Sequence, residues 1–327
     1  MAFNNIDVIN STFQKVVRSG KFIDNVSKRT PFLAWLRKSG CFAYWDGSGK
    51  YIHEPVLKTL RTGKSQSMDP FDVLSIVPDE NTENVPFNRK VVRHPIVLSH
   101  EQIEQNMNQE KIIDLVEQKI SEAHIYFAND LDIMFFADGT GSSGKDFLGL
   151  GALIPDTQTS GTLGGFARST NAWLQSPSAS GAKTTQAFDN LRKKMSTMKN
   201  TLTYGTQGPT IYITDQTTYE GYEDLSYGKW MPTSKEAYDL GFSGGLTFAG
   251  KPVVFGDNVT AGNMFALNPE SLKLRVKGMK AGDKNPFEIS QKFDMAPRQF
   301  VNVWVLSLVG ALTCNYFRQI GKLHSCS

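Results

Sequence analysis

Two glycine-rich stretches carry the residue types from which an active site could be built. Gly139-Thr-Gly-Ser-Ser-Gly144-Lys145 fits the first seven positions of a phosphate-binding loop, in which backbone amides and a lysine cradle a polyphosphate. The eighth position fails, because Asp146 stands where a Ser or Thr hydroxyl would hold magnesium and sets a carboxylate beside the phosphates. Such a loop also opens a helix after a strand, whereas this one follows a long helical pattern, so it reads as a flexible linker between that helix and the next domain. Gly241-Phe-Ser243-Gly-Gly245 matches the GxSxG turn that exposes a nucleophilic serine. A strand pattern follows instead of a helix, and the only downstream histidine is His324, so the acid-then-histidine order of a triad has no members. It reads as a Gly-rich turn. An NTPase or a serine hydrolase is therefore the rival enzyme class, not the favoured one.

The remaining chemistry-bearing residues are dispersed. His53, His94, His100, His124 and His324 show no metal-ligand spacing. Cys41, Cys314 and Cys326 are odd in number and lack a CxxC pair, which argues against a disulfide framework and for a reducing compartment. Asp130 and Asp132 are two apart on a helical pattern and point to different faces, poor geometry for shared acid and base work. The sequons at Asn10, Asn25 and Asn258 mean little without a secretory signal, and Met1 to Asn10 has no apolar run. We expect no catalytic residues, no metal and no cofactor.

The elements that would position anything are clearer. Residues 1–40 form short amphipathic pieces with seven basic and two acidic side chains, a net +5, and read as a helical basic arm. Residues 41–99 read as a long hairpin from two extended runs, Tyr51 to Leu60 and Val85 to Leu98, around an irregular middle. Its charges are segregated: Lys50, Lys58, Arg61 and Lys64 on the way out, Asp69, Asp72, Asp79, Glu80 and Glu83 near the tip. So long and weakly apolar an excursion cannot bury much of itself, which calls for a neighbour to cover it.

Ile112, Val116, Ile120, Ala123, Phe127, Leu131 and Met134 recur at three- and four-residue steps and predict one helix over 102–137, roughly 50 Å long. Ser99 and Gln102 would cap it. Nine acidic and two basic residues over 101–138 give it a net charge of −7, read as a solvated face in preference to a partner for the basic arm. Beyond the glycine-rich passage 139–182 the pattern predicts a helix at Thr185 to Lys199, a strand at Thr210 to Thr214, a helix near Gln216 to Leu225, and strands at Leu246 to Phe255, Met264 to Leu267 and Leu272 to Val276. Further strand pattern follows at Phe287 to Phe293 and Phe300 to Leu312. The fold class is α+β.

Composition sets the outer limits. With 327 residues, 40% hydrophobic, the chain can hold a full core, and neither disorder nor low complexity fits. A formal charge of +3 announces no dedicated nucleic-acid binder. The longest apolar stretch, Val303 to Leu312, is about half of what a membrane helix needs.

The order of arm, two-stranded excursion, very long helix, glycine-rich passage, mixed domain and returning strands resembles the major capsid proteins of tailed double-stranded DNA phages, the Hong Kong 97-type fold. Leu148-Gly-Leu-Gly-Ala-Leu-Ile154, Gly164-Gly-Phe-Ala-Arg-Ser169 with Trp173, and Ala266-Leu-Asn-Pro-Glu-Ser-Leu-Lys-Leu274 carry the likeness locally. The resemblance implies an N-terminal arm at 1–40, an E-loop at 41–99, a peripheral domain with spine helix at 100–149, an axial domain at 150–285, and strands at 286–327 rejoining the peripheral domain. It implies a structural protein, not an enzyme, that assembles into hexamers and pentamers of an icosahedral shell around double-stranded DNA, in a virion put together in the host cytoplasm. Its partners would be copies of itself, a portal protein, decoration proteins and, because the chain starts almost at the arm, a separate scaffolding protein; no membrane is involved. The charged hairpin residues become candidates for contact between copies, and Lys15, Arg18 and Lys21 candidates for facing scaffold or DNA. An encapsulin compartment of the same fold, or a tail-tube protein, is the nearest alternative.

Overall fold

The computed structural model describes residues 30–45, 49–58, 67–72, 81–99, 101, 109–180, 187–227, 246–277, 288–289 and 301–326. In chain order these give α1 (Pro31–Lys38), β1 (Phe42–Trp45), β2 (Tyr51–Leu57), β3 (Thr82–Asn88), β4 (Lys90–Ser99), α2 (Gln109–Phe136), the one-turn α3 (Leu150–Leu153), β5 (Thr162–Leu163), β6 (Phe166–Ala167) and β7 (Ser178–Ser180). There follow α4 (Ala187–Leu202), β8 (Ile211–Thr214), α5 (Gln216–Tyr227), β9 (Thr247–Phe248), β10 (Lys251–Phe255), β11 (Met264–Leu267), β12 (Leu272–Lys277), β13 (Glu288–Ile289), β14 (Val301–Cys314) and β15 (Gly321–His324).

α2 is the longest helix among the described residues, 28 residues and about 42 Å at 1.5 Å per residue. Its periodic positions Ile120, Ala123, Phe127 and Leu131 are buried as the spacing requires. The helix ends in a knot of aromatic rings: Phe32 of α1 lies 5.6 Å from Phe135 and 5.5 Å from Phe136, and Phe135 lies 5.8 Å from Phe147. Each such pair adds about 0.5–1.5 kcal/mol beyond the area it buries. Gly149 lets the following segment close on the last helical turn; a Cβ there would stand 2.3 Å from the carbonyl oxygen of Ala137.

Two main sheets share a core with this helix. In the first, β14 is the hub: β4 runs antiparallel along Val301 to Gly310, β12 along Gly310 to Cys314, and β13 meets Leu306 and Ser307. β1 then adds in parallel to β12. Gly310 pairs with both Lys90 and Val276, and a Cβ there would stand 2.1 Å from the carbonyl oxygen of Arg275, so only glycine fits where β14 exchanges partners. The second sheet has the order β7-β15-β11-β8-β10-β9. One of its faces supplies Ile211, Ile213, Val254, Phe265 and Leu267 to the core shared with α1, α2 and the first sheet. The other face packs Tyr212, Val253, Met264 and Ala266 against Leu191, Met195 and Leu202 of α4 and Tyr222 of α5. A sheet covered on both sides explains why β8 and β11 read as unbroken apolar runs.

The structure departs from the pattern reading at four places. α1 is not part of a free arm: Phe32, Trp35 and Leu36 are core residues. The hairpin is shorter than 41–99, because β3 pairs with β2 while β4, directly after Arg89, pairs with β14. The glycine-rich passage 139–182 is not all surface loop: Phe147, Leu150, Leu153, Ile154 and Leu174 are fully buried, while Thr140 to Lys145 is exposed. Finally, β12 of the presumed axial segment joins the sheet of β14, whereas β15 leaves that sheet and inserts between β7 and β11. Among the described residues no helix is long and apolar enough to cross a membrane, and no group of three or more His, Cys, Asp or Glu could hold a metal ion.

Candidate assembly interface

Strand alternation turns Tyr51, His53, Pro55 and Leu57 of β2 outward and Ile52, Glu54 and Val56 inward. Ile52 and Val56, with Val85 and Phe87 of β3, enter the main core, so the base of the hairpin is buried by its own chain. This corrects the expectation that only a neighbour could cover it. Between the two apolar residues sits Glu54, 3% exposed. Its Oε1 accepts hydrogen bonds from Nε of Arg275 at 2.5 Å and Oγ1 of Thr313 at 2.9 Å, and its Oε2 accepts one from Nη2 of Arg275 at 3.0 Å. A buried carboxylate is tolerable only when paired and bonded in this way. The latch ties β2 to β12 and β14.

The charged candidates separate into four groups. Lys58 and Glu83 form an ion pair at 2.5 Å across the hairpin, each about one third exposed, so they answer one another within a single copy. Such a pair contributes little to stability, about 0–1 kcal/mol. Lys50 is exposed, its ammonium 5.5 Å from the centre of the Tyr51 ring. Asp69 and Asp72 face each other across a tight turn: the Asp72 N–H donates to the Asp69 carbonyl at 3.0 Å, and the Asp69 N–H donates to Oδ2 of Asp72 at 2.9 Å. Phe71 within that turn is 98% exposed. Arg61, Lys64, Asp79, Glu80, Lys15, Arg18 and Lys21 lie outside the described residues.

At the other end of the hairpin an open cleft of about 510 Å³ is lined by Trp45, Lys50, Tyr51, Ile52, His53 and Arg275. The Arg89 guanidinium lies over the Trp45 ring, 5.9 Å from its centre. The cleft is basic and aromatic.

The first glycine motif folds as a turn and not as a phosphate cradle. Gly139 to Lys145 is an exposed turn in which Ser142 and Ser143 take left-handed backbone angles, φ 49° and 58°. The Lys90 ammonium donates to the Gly144 carbonyl, and Asp138 accepts from the Thr140 amide and hydroxyl, which hold its carboxyl below the usual range. Gly241 to Gly245 lies outside the described residues. On α2, Asp130 is exposed and Asp132 buried, as their spacing requires. Burial pushes the His124 imidazole down to about 4 and the Asp132 carboxyl up to about 6, the latter against a hydrogen bond from Nδ2 of Asn258 at 3.0 Å. Burial also drives the Cys41 and Cys314 thiols up to about 12, where they are poor nucleophiles.

Sequence reasoning passed over Glu54, Arg168 and Lys322. Arg168 is buried and donates through Nη2 to the carbonyls of Ala152 and Leu153, at 2.7 and 3.2 Å, closing the end of α3. Lys322 is buried, pairs with Asp156 and lies over the Phe265 ring. For Glu54 a signal existed: a charge at an inward position between Ile52 and Val56.

No family model and no curated protein matches the sequence. Solved structures do. The capsid subunit of cyanophage A-1(L) superposes with a TM-score of 0.68 over 91% of this chain and 93% of that one, at 14% identity. The chain has the fold of tailed-phage capsid proteins. The capsid fold also relates it to the capsid of a native GTA particle, with a TM-score of 0.58, 13% identity and 89% of each chain covered. The shell of the holo-SrpI encapsulin complex from Synechococcus elongatus PCC 7942 matches with a TM-score of 0.52, 11% identity, 89% of this chain and 86% of the other.

Proposed function

We propose that this chain is the major capsid protein of a tailed phage, a subunit that assembles into hexamers and pentamers and closes them into an icosahedral shell around double-stranded DNA. The observation that carries the reading is the likeness over about nine-tenths of both chains to subunits whose shared property is shell formation. Repeated modest interfaces, each burying surface at about 25 cal/mol per Å², stabilise a closed shell through number. The hairpin of β2 and β3 is the E-loop of this reading, α2 the spine helix, and the second sheet with α4 and α5 the body of the axial domain. The basic segment carrying Lys15, Arg18 and Lys21 faces scaffold or genome. Partners are copies of the chain, a scaffolding protein, a portal protein and decoration proteins, in a virion capsid built in the host cytoplasm.

Electron microscopy of particles purified from their source, with the ratio of nucleic-acid to protein absorbance, tests this. Closed isometric particles containing DNA are expected. Closed particles loaded with protein in place of DNA favour the encapsulin reading, which the Synechococcus match keeps in view. Helical tubes or a lone monomer overturn both.

A further inference from the structure

We propose that the Asp69 to Asp72 turn of one copy seats in the Trp45, Lys50 and Tyr51 cleft of a second copy, with Phe71 between the aromatic walls and the two aspartates against Lys50, Arg89 and Arg275. This rests on the shell reading and names a contact through which copies join.

The knob is built, not merely exposed. Its backbone and side-chain hydrogen bonds close the turn from both sides, and Pro70 at the second position fixes φ there. Phe71 is therefore held in water by a preorganised turn, so little backbone freedom remains to be lost when it docks. A phenyl ring flanked by two carboxylates is a distinctive shape.

The socket has the matching chemistry. Its 510 Å³ lies in the range that accepts a ligand-sized group. Trp45 and Tyr51 supply ring faces and edges for a phenylalanine. Lys50 is exposed, Arg89 stacks on Trp45, and Arg275 keeps more than a quarter of its side chain exposed while it holds Glu54. Opposite charge across such an interface sets register and partner choice.

Knob and socket do not meet within one copy, since Phe71 stands in solvent. Tyr51 lines the cleft, and the turn belongs to the chain between β2 and β3. Two different complementary surfaces carried by each copy join copies head to tail, an arrangement that closes into rings when the rotation permits. Rings of five and six are what the shell reading requires.

The test uses the full chain. Oxidation of copies carrying both Phe71→Cys and Tyr51→Cys is expected to give a ladder of covalently linked chains on a denaturing gel, absent from either single variant; the three native thiols are buried. Phe71→Asp is expected to lower particle yield at least about tenfold, with melting unchanged because the ring touches nothing in its own copy. Lys50→Glu should do the same, and adding Asp69→Lys with Asp72→Lys should restore particles. Unchanged yield from Phe71→Asp with no ladder overturns the seating and leaves the shell reading standing. A ladder from a protein that never makes particles keeps the contact and overturns the shell. Neither ladder nor particles overturns both.

Discussion

Arg275 on β12 grips the buried carboxylate of Glu54 on β2 through two nitrogens, and Thr313 on β14 adds a third donor. The excursion that the sequence presents as an unsupported limb is thereby locked to the first sheet at its root. Removing one partner of such a pair leaves a buried charge or a row of orphaned donors. Glu54→Ala is expected to lower unfolding free energy by about 2–4 kcal/mol, and Thr313→Val by about 1 kcal/mol, in urea titrations. The Glu54→Ala, Arg275→Ala double variant should cost clearly less than the two single losses added together. Additive losses would show that the two groups act independently.

Phe32 tests whether the body begins at α1. Its ring is fully buried against Trp35, Phe135 and Phe136. Phe32→Ala should cost about 3–5 kcal/mol, the range for an aromatic core truncation. A loss under about 1 kcal/mol would mean that residues 31–38 are an accessory arm after all.

Asp132 makes stability depend on pH in an unusual direction. Its carboxyl is 1% exposed and sits near Asp257, and its folded value of about 6 lies above the ordinary 3.8. Between those two values the folded state binds more protons than the unfolded one, so stability from this group is complete below pH 3.8 and is lost as pH rises through 6. His124, pushed down to about 4 from 6.5, acts oppositely: its share is present above pH 6.5 and lost as pH falls toward 4. Asp132→Asn should therefore stabilise the protein at pH 7.5 by roughly 2–3 kcal/mol and leave the stability near pH 4 almost unchanged. A variant equally or less stable at pH 7.5 would refute this assignment.

A deletion through the hairpin now has defined limits. Removing residues 50–85 would strip Ile52, Val56 and Val85 from the core and leave Arg275 without Glu54, so that variant should not fold. Replacing residues 59–80 by a short turn should give a subunit with native circular dichroism that forms no closed shells. Normal shells from that variant would show that the outer hairpin is dispensable.

What was legible in the sequence is what one element fixes by itself. The three- and four-residue spacing of Ile120, Ala123, Phe127 and Leu131 marks the buried stripe of α2, and the run ending at Leu312 marks β14, because burial imposes a local period. Pairing is not local. Lys90 to Ser99 reads as the return of a hairpin because alternation is blind to its partner; the strand it joins lies some two hundred residues away, on β14. Gly139 to Lys145 carries the residues of a phosphate cradle, yet left-handed angles at Ser142 and Ser143 and the ammonium of Lys90 close it into a plain turn. The cleft was hidden for the same reason: Trp45, Tyr51 and Arg275 come together only through the parallel pairing of β1 with β12 and the latch at Glu54.

The threading of β14 and β15 bears on when a subunit becomes competent. The hub of one sheet and the strand between β7 and β11 of the other are both supplied by residues 301–324. A nascent polypeptide that has emerged only as far as β12 owns neither sheet in finished form, and β1 has waited more than two hundred residues for its mate. In the shell reading, ribosome-bound chains on one message are thus poor partners for each other until translation has passed β15.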